Sequence, residues 1–416
     1  MKLDLDERRL VADLDTLAAW GRGEGGAMTR LALSPADAAA RAWVRDRMRA
    51  LGLDVWADEV GNLFGRRRGS AEGGPFVLTG SHLDSVPSGG RFDGPLGVVA
   101  PLEVVRAWNA AGLSTRRDLC LVVFVAEEGS RFRRGTLGSA AASGYLEAAS
   151  IRALTDADGV RFGDALASYG DDPPCRAPAR LAPGLMRAFV ELHVEQGGVL
   201  EQQKIPIGIV ETIAGLRQFV VRLRGDSNHA GATPMRLRHD ALAAAAEVVV
   251  AVEFAAQSVG GGAVGTVGRL ELGDGGALNV IPGQATLGVD LRAPRAELLD
   301  HLEEQLRETI RRAGEKRGVE TAIELRQKVP PGPMHPRVTG ALARAAEAVG
   351  LAHLSLPSGA IHDALHMADL GPAGMLFVPS RGGKSHCKEE DTAPADLTRG
   401  TLVLAHALRD LCDQTE

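Results

Sequence analysis

The run Thr79-Gly80-Ser81-His82-Leu83-Asp84-Ser85-Val86-Pro87-Ser88-Gly89-Gly90-Arg91-Phe92-Asp93-Gly94 decides how this chain is read. Just before it, Phe76-Val77-Leu78-Thr79 has the composition of a short buried strand, which the polar, glycine-rich residues that follow cannot prolong. His82 and Asp84 alternate past the strand end, and Asp93 arrives after the turn at Ser88-Gly89-Gly90. In an α/β sheet, ligands collect at the carboxyl ends of the strands. An imidazole followed by a carboxylate that orients its ring, then by a second carboxylate, suits a metal ion. Taken alone, the run is equally compatible with a loop of hydrogen-bonded polar residues.

Three further apolar stretches end in the same way. The strand predicted over 118–126 runs into Glu127-Glu128-Gly129. Adjacent carboxylates at the end of a buried strand are costly unless a cation compensates them. An extended backbone points them to opposite sides, so one can face a metal while the other stands beside it as a base. A solvated strand end is the plainer alternative. The strand over 188–194 delivers Glu191-Leu192-His193-Val194-Glu195-Gln196-Gly197, and the strand over 374–378 is followed by Pro379 to His386. Four such ends point to one side of one sheet.

Around these strands the pattern is α/β. A helix is predicted over 3–20, and a second from the cap Ser34 through Pro35 and Asp37 to Ala50. Short strands follow over 54–56 and 63–66, and a helix over 95–110. Between Thr212 and Lys328 the texture changes to strand (217–224), helix (238–257), strand (263–272), strand (284–292), helix (296–314) and strand (320–327). This βαββαβ order is ferredoxin-like, and it interrupts the first pattern because the fourth ligand-bearing strand comes after it. The expected architecture is a mixed-sheet catalytic domain (1–211 and 329–416) with an inserted domain over 212–328.

With 416 residues, 45% hydrophobic and 24% charged, the chain reads as a globular protein of two domains. A net charge of −6 and 4% aromatic residues argue against a nucleic-acid partner. Cys120, Cys175, Cys387 and Cys412 are scattered, which excludes a disulfide framework and a thiolate zinc site. The segment Met1 to Arg9 is charged and shows no export signal. The most apolar stretch, Ala241 to Ala256, carries Glu247 and Glu253 and reads as too short and too interrupted for a membrane span. A cytoplasmic protein without membrane contact is the expectation.

His82, Asp93, Glu128, His193 and His386 offer imidazoles and carboxylates without a thiolate, a set for divalent zinc, manganese, cobalt or nickel. Together with Asn228 to Met235, Asn279-Val280-Ile281-Pro282-Gly283 and Ser358 to Ala364, these motifs stand in the order found in a known family. The chain resembles the N-carbamoyl-L-amino acid amidohydrolase, β-ureidopropionase and allantoate amidohydrolase group, within the dinuclear metallopeptidase superfamily of aminoacylases and carboxypeptidase G. The resemblance runs from Thr29-Arg30-Leu31 to the final helix.

The resemblance implies two divalent ions per subunit, one held by His82, Asp93 and His193, the other by Asp93, Glu128 and His386, with Asp93 bridging. Glu127 is then the general base, Asp84 supports His82, and the inserted domain is a lid and homodimerisation module. That module brings His229 to the developing oxyanion and Asn279 and Arg292 to a substrate carboxylate, with Gln196 as a further polar contact. A cis peptide at Asp93–Gly94 is also implied. The expected reaction is hydrolysis of an N-carbamoyl amino acid; allantoate, or an N-acyl amino acid or peptide conjugate, is the alternative substrate. His362 and Asp363 resemble a family run in which Gly is common at the place of Ile361, and they are left unassigned. Gly198 and Lys384-Ser385-His386-Cys387 also depart from the family pattern.

Overall fold

The computed structural model describes residues 3–71, 73–170, 172–273 and 276–414. Met1 and Lys2 of the charged N-terminal segment lie outside them. The chain divides into two compact units, one made of Met1–Glu211, Pro333–Leu356 and His362–Glu416, the other of Thr212–Gly332 and Pro357–Ile361.

In the first unit, apolar runs too short for helices pair into a mixed sheet. Its strands lie in the order Ile207–Ile213, Ala373–Val378, Met186–Val194, Phe76–His82, Leu119–Phe124, Leu63–Arg67, Asp54–Asp58, Cys175–Ala177. The four ligand-bearing strands are adjacent, and all three pairings among them are parallel. Their carboxyl ends therefore emerge on one side, as the sequence pattern implies. Register fixes the level: His82 faces Phe124, Thr79 faces Val190, and Phe377 faces His193. These strands are buried along their whole length, which is why they read as continuous apolar runs. Helices Pro95–Ala110 and Pro394–Asp413 cover the sheet, with Trp108, Leu404 and Leu408 fully buried.

The N-terminal helix is shorter than expected, Glu7–Ala19, because Asp6 caps it by accepting from the Arg9 amide. Helix Pro35–Ala50 begins at Ser34 as predicted, but Asp37 accepts from the Leu33 amide at 2.9 Å, one residue before the cap. The strand Leu119–Phe124 stops short of the carboxylate pair. Ala126, at φ 54°, turns the chain there, so a loop and not an extended backbone separates Glu127 from Glu128.

In the second unit, Gly215–Arg224, Val264–Leu272, Gln284–Ala293 and Glu320–Val329 form an antiparallel sheet in the order second, third, first, fourth. Helices Ala241–Val259 and Ala296–Arg317 share one apolar core with the inward residues Phe219, Val221, Leu287 and Leu291. Helix Ala241–Val259 corrects the sequence expectation. At 19 residues and a mean hydropathy of 1.6 it is long and apolar enough to cross a bilayer. It nevertheless buries Ala241, Ala244, Ala245, Val248 and Val252 in this core.

The implied cis peptide at Asp93–Gly94 is absent: among the described residues only Asp172–Pro173 is cis. Gly94 makes the turn by a different route, with φ 84° in the region that favours glycine. A side-chain carbon on Gly94 would lie 2.5 Å from the His82 ring, so glycine is required twice over.

Phe189, fully buried in the Met186–Val194 strand, touches the Phe124 ring at a 6.0 Å centroid distance. Phe189→Ala should lower the unfolding free energy by about 3–5 kcal/mol, read as a lower denaturant midpoint at unchanged slope.

Candidate metal centre

The strand ends and the loops after them bring His82, Asp84, Asp93, Glu127, Glu128, His193, Gln196 and His386 together in the first unit. The Nε2 atoms of His193 and His82 lie 3.1 and 3.7 Å from Asp93 Oδ1. On the other side of the carboxylate, His386 Nε2 lies 3.4 Å from Asp93 Oδ2 and 3.6 Å from Glu128 Oε2. Asp93 thus turns one oxygen to each of two donor sets, His82–Asp93–His193 and Asp93–Glu128–His386. Glu127 stands beside the first, its Oε2 3.7 Å from His82 Nε2.

The imidazoles are held in the tautomer a metal needs. His82 Nδ1 is 3.0 Å from the Asp84 carbonyl, and His193 Nδ1 is 2.9 Å from the Val194 carbonyl. A carbonyl only accepts, so each Nδ1 carries the hydrogen and each Nε2 offers a lone pair. This modifies the role read for Asp84. Its backbone carbonyl orients His82, while its carboxylate, 3.8 Å from that ring, accepts from the Glu127 and Glu128 amides at 3.1 Å each. Past the turn at Ala126 those two amides have left the sheet ladder, and a carboxylate is what satisfies them.

The electrostatics call for cations. Asp84, Asp93 and Glu127 are buried, and among the described residues no Lys or Arg pairs with them or with Glu128. Arg30 is buried as well, but it gives its Nε and Nη1 hydrogens to the carbonyls of Leu83, Leu17 and Trp20. Burial, then Asp363 and Glu128, push Glu127 well above the usual carboxylate range. Burial, then Asp93 and Asp84, do the same to Glu128. Burial also raises Asp93, but His193, His386 and His82 overcome it and hold that carboxyl well below its ordinary value. Burial drives His82 down to about 4, so its ring is neutral and free to ligate near pH 7.

Polar hydrogens stand where cations would. The Gly94 amide donates to His193 Nε2 at 3.2 Å, and Gln196 Nε2 donates to Asp93 Oδ2 at 2.7 Å. The donor chemistry, imidazoles and carboxylates converging on a shared aspartate, fits divalent ions. Gln196, read from sequence as a substrate contact, sits on the Asp93 carboxylate itself, 3.3 Å from His386 Nε2.

His229, Asn279 and Arg292 belong to the second unit. His229 and Asn279 meet across the two-stranded ribbon Asn228–His229 and Val280–Ile281, where the Ala230 amide donates to the Asn279 carbonyl at 2.9 Å. Gly231 and Ala232 amides both donate to His229 Nδ1 at 3.1 Å, which leaves the hydrogen on Nε2. Arg292 is engaged by Asp290 (Nε to Oδ1, 2.9 Å) and by the Gly359 carbonyl (2.9 Å).

Sequence reasoning passed over a buried layer behind His193. Glu191 accepts from Ser81 Oγ at 2.7 Å and from the Ala364 amide at 3.0 Å. The His362 ring lies 4.5 Å from that of His193, edge to face, and Asp363 is fully buried. Burial, then His193, push His362 well below its ordinary value, so it is neutral. A signal was available for Glu191, a charge two residues before His193 in an apolar strand and so on the same face. None was available for Glu390, which sits in the charged run Lys388-Glu389-Glu390-Asp391 yet is buried against the Asp93 turn. Burial and Asp93 push Glu390 up, against the opposing pull of Ser385 and the Phe92 and Asp93 amides.

Comparison with known proteins adds to this geometry. The profile of peptidase family M20/M25/M40 matches residues 78–410. An N-carbamoyl-L-amino acid amidohydrolase of Geobacillus stearothermophilus is 40% identical over 403 residues, 97% of this chain and 98% of the relative. The allantoate amidohydrolase of Escherichia coli K12 is 36% identical over 402 residues, covering 96% and 97% of the two chains. Among solved structures, a hydantoinase/carbamoylase family amidase from Burkholderia multivorans superposes with a TM-score of 0.95 at 35% identity, covering 100% of both chains.

Proposed function

We infer the activity from two facts taken together: the chain belongs to peptidase family M20/M25/M40, and its Asp93 turns one carboxylate oxygen to each of two sets of metal-type donors. We propose a metal-dependent amidohydrolase that cleaves the C–N bond of an N-carbamoyl amino acid. Water adds to the ureido carbon, the bond to the amino-acid nitrogen breaks, and the carbamic acid released decays to carbon dioxide and ammonia. Relatives named for N-carbamoyl amino acids and for allantoate support a ureido substrate, with allantoate the second reading.

In this reading His82, Asp93 and His193 hold one divalent ion and Asp93, Glu128 and His386 the other, zinc or manganese being the foremost candidates. Bound there, such ions would polarise a carbonyl and acidify a water. Glu127 is the residue that takes the proton from the attacking water and returns it to the leaving nitrogen. Its position supports the role: it stands beside the first donor set without being part of either. The hydrogen on His229 Nε2 supports a donor to the tetrahedral oxygen, which strengthens as charge develops. Arg292 and Asn279 receive the substrate carboxylate.

We further propose that the unit around Thr212–Gly332 acts as lid and homodimerisation module. Val250 and Phe254 are 67% and 69% exposed on helix Ala241–Val259, and Val264 is 51% exposed on the sheet's edge strand Val264–Leu272. An apolar helix face beside an open strand edge suits a second copy.

Metal-reconstituted protein offered N-carbamoyl amino acids, N-carbamoyl-β-alanine, allantoate and N-acetyl amino acids should release ammonia and amine in equal amounts from an N-carbamoyl substrate. Chelation should abolish turnover. Amine without ammonia, from N-acetyl substrates alone, would move the assignment to acyl hydrolysis.

Glu127→Gln should keep the ions and lose about 10²–10⁴-fold in kcat, the worth of a positioned base. Glu128→Gln should instead lower metal occupancy. Metal analysis beside single-turnover kinetics distinguishes the two, and the reverse pattern would exchange their roles.

Arg292→Lys keeps the charge but loses the planar fork. A raised KM with unchanged metal content is expected. Amidated substrates should be poor for the wild type and insensitive to the change. Equal discrimination between acid and amide by both proteins would locate the carboxylate elsewhere.

A further inference from the structure

Glu390 is 4% exposed although Lys388 and Glu389 beside it are exposed. The neighbouring cations pair elsewhere, Lys388 with Glu389 and Arg381 with Asp391. Its carboxylate is satisfied by hydrogen bonds, those to Oε1 from residues far away in sequence. Oε1 accepts from the backbone amides of Phe92 (3.0 Å) and Asp93 (3.1 Å), and Oε2 accepts from Ser385 Oγ (2.8 Å). A side-chain carbon on Gly90 would overlap this carboxyl, so the turn Gly89-Gly90 is shaped around it.

Ser385 also lies 3.1 Å from Asp93 Oδ2, the oxygen turned toward Glu128 and His386. A hydroxyl has one hydrogen, so the two carboxylates compete for it. Asp93 Oδ2 has two lone pairs; Gln196 Nε2 donates to one at 2.7 Å, and a serine hydrogen on the other leaves none for a cation. We propose that Glu390 is a positioning residue that draws the Ser385 hydrogen away from Asp93 Oδ2 and so keeps that oxygen open to the second ion. The shorter of the two contacts is the one to Glu390, and the Phe92 and Asp93 amides hold its carboxylate in place. The inference rests on the two-ion reading above.

A substitution can reverse the direction of the serine hydrogen. In Glu390→Gln the side-chain oxygen must face the two backbone amides, because only it can accept from both. The amide nitrogen then donates to Ser385 Oγ, and the serine hydrogen turns to Asp93 Oδ2. Ser385→Ala removes the hydrogen altogether, and the double variant removes the reversal.

Apo protein is titrated with Mn²⁺ or Zn²⁺ by calorimetry, and bound metal is counted after gel filtration. Wild type should take up two ions. Glu390→Gln should keep the first and bind the second about 10–100-fold more weakly, the usual effect of losing a partner that orients a ligand. Ser385→Ala should bind both as wild type does, and Glu390→Gln/Ser385→Ala should recover the second ion to within about twofold. A role confined to folding would lower thermal stability in all three variants and give no such rescue. Wild-type binding by Glu390→Gln, loss of the second ion in Ser385→Ala, or a double variant as weak as Glu390→Gln each overturns the proposal. Should Glu390→Gln not fold, Ser385→Ala still decides, because loss of the second ion there sinks the idea. A wild type that binds no ions at all defeats the two-ion reading instead.

Discussion

Asp93 is buried between three imidazoles, and much of the first unit is arranged around that one carboxylate. Removing an ion from water costs several kcal/mol even after relaxation, and the cost is recovered only with close partners of opposite charge. Burial also pushes the carboxyls of Asp84, Glu127, Glu191, Asp363 and Glu390 nearby above their ordinary range, so their ionised forms need compensating charge. No Lys or Arg pairs with Asp93 or with Glu127 and Glu128 among the described residues. A centre of this composition is stable as a receptor for cations. The parallel sheet provides the means, since its central strands are anchored by continuous apolar cores and can hold such groups at their ends.

The carboxylates that do not face the donor sets hold the ones that do. Asp84 accepts from the amides of Glu127 and Glu128. Glu390 accepts from the amides of Phe92 and Asp93. Glu191 accepts from Ser81, next to His82, and from Ala364. Each of these bonds joins segments far apart in sequence, so the centre is cross-braced between loops rather than built on one. A bond of this kind to a charged acceptor contributes roughly 1.5–3 kcal/mol, more than a neutral pair. The bracing also supports the positive φ angles at Ala126, Gln196 and His386, which a free loop would not retain.

The sequence made legible what depends on periodicity and on strand ends. The strands at His82 and His193, the order of the inserted elements and the cap at Ser34 all follow from local pattern. What it concealed depends on long-range pairing. Glu390 belongs to a run of four charged residues, and only the approach of the Asp93 turn from 298 residues away makes it a buried group. The position of Asp84 was legible but its partner was not, because the turn at Ala126 that frees the Glu127 and Glu128 amides leaves no mark in composition. At Asp93–Gly94 the cis peptide implied by resemblance is absent, and Gly94 turns at φ 84° instead.

Arg292 illustrates how a group in the second unit can be held ready without being spent. Its guanidinium carries five N–H hydrogens. Asp290 takes one from Nε and another from Nη2, and the Gly359 carbonyl takes one from Nη1. Two hydrogens remain, and the planar fork is held in position by its partner on the same strand. Asp290 is itself shared with Gln218, whose Nε2 donates to Oδ2 at 2.8 Å. The strand therefore presents a braced cation rather than a mobile one, and in the proposed role less side-chain entropy would be lost on binding a carboxylate. The same logic governs His229, whose Nδ1 is tied to two amides so that its remaining hydrogen has one direction to point. In the role proposed for His229, a donor fixed before the substrate binds would be most effective as charge develops on the reacting oxygen.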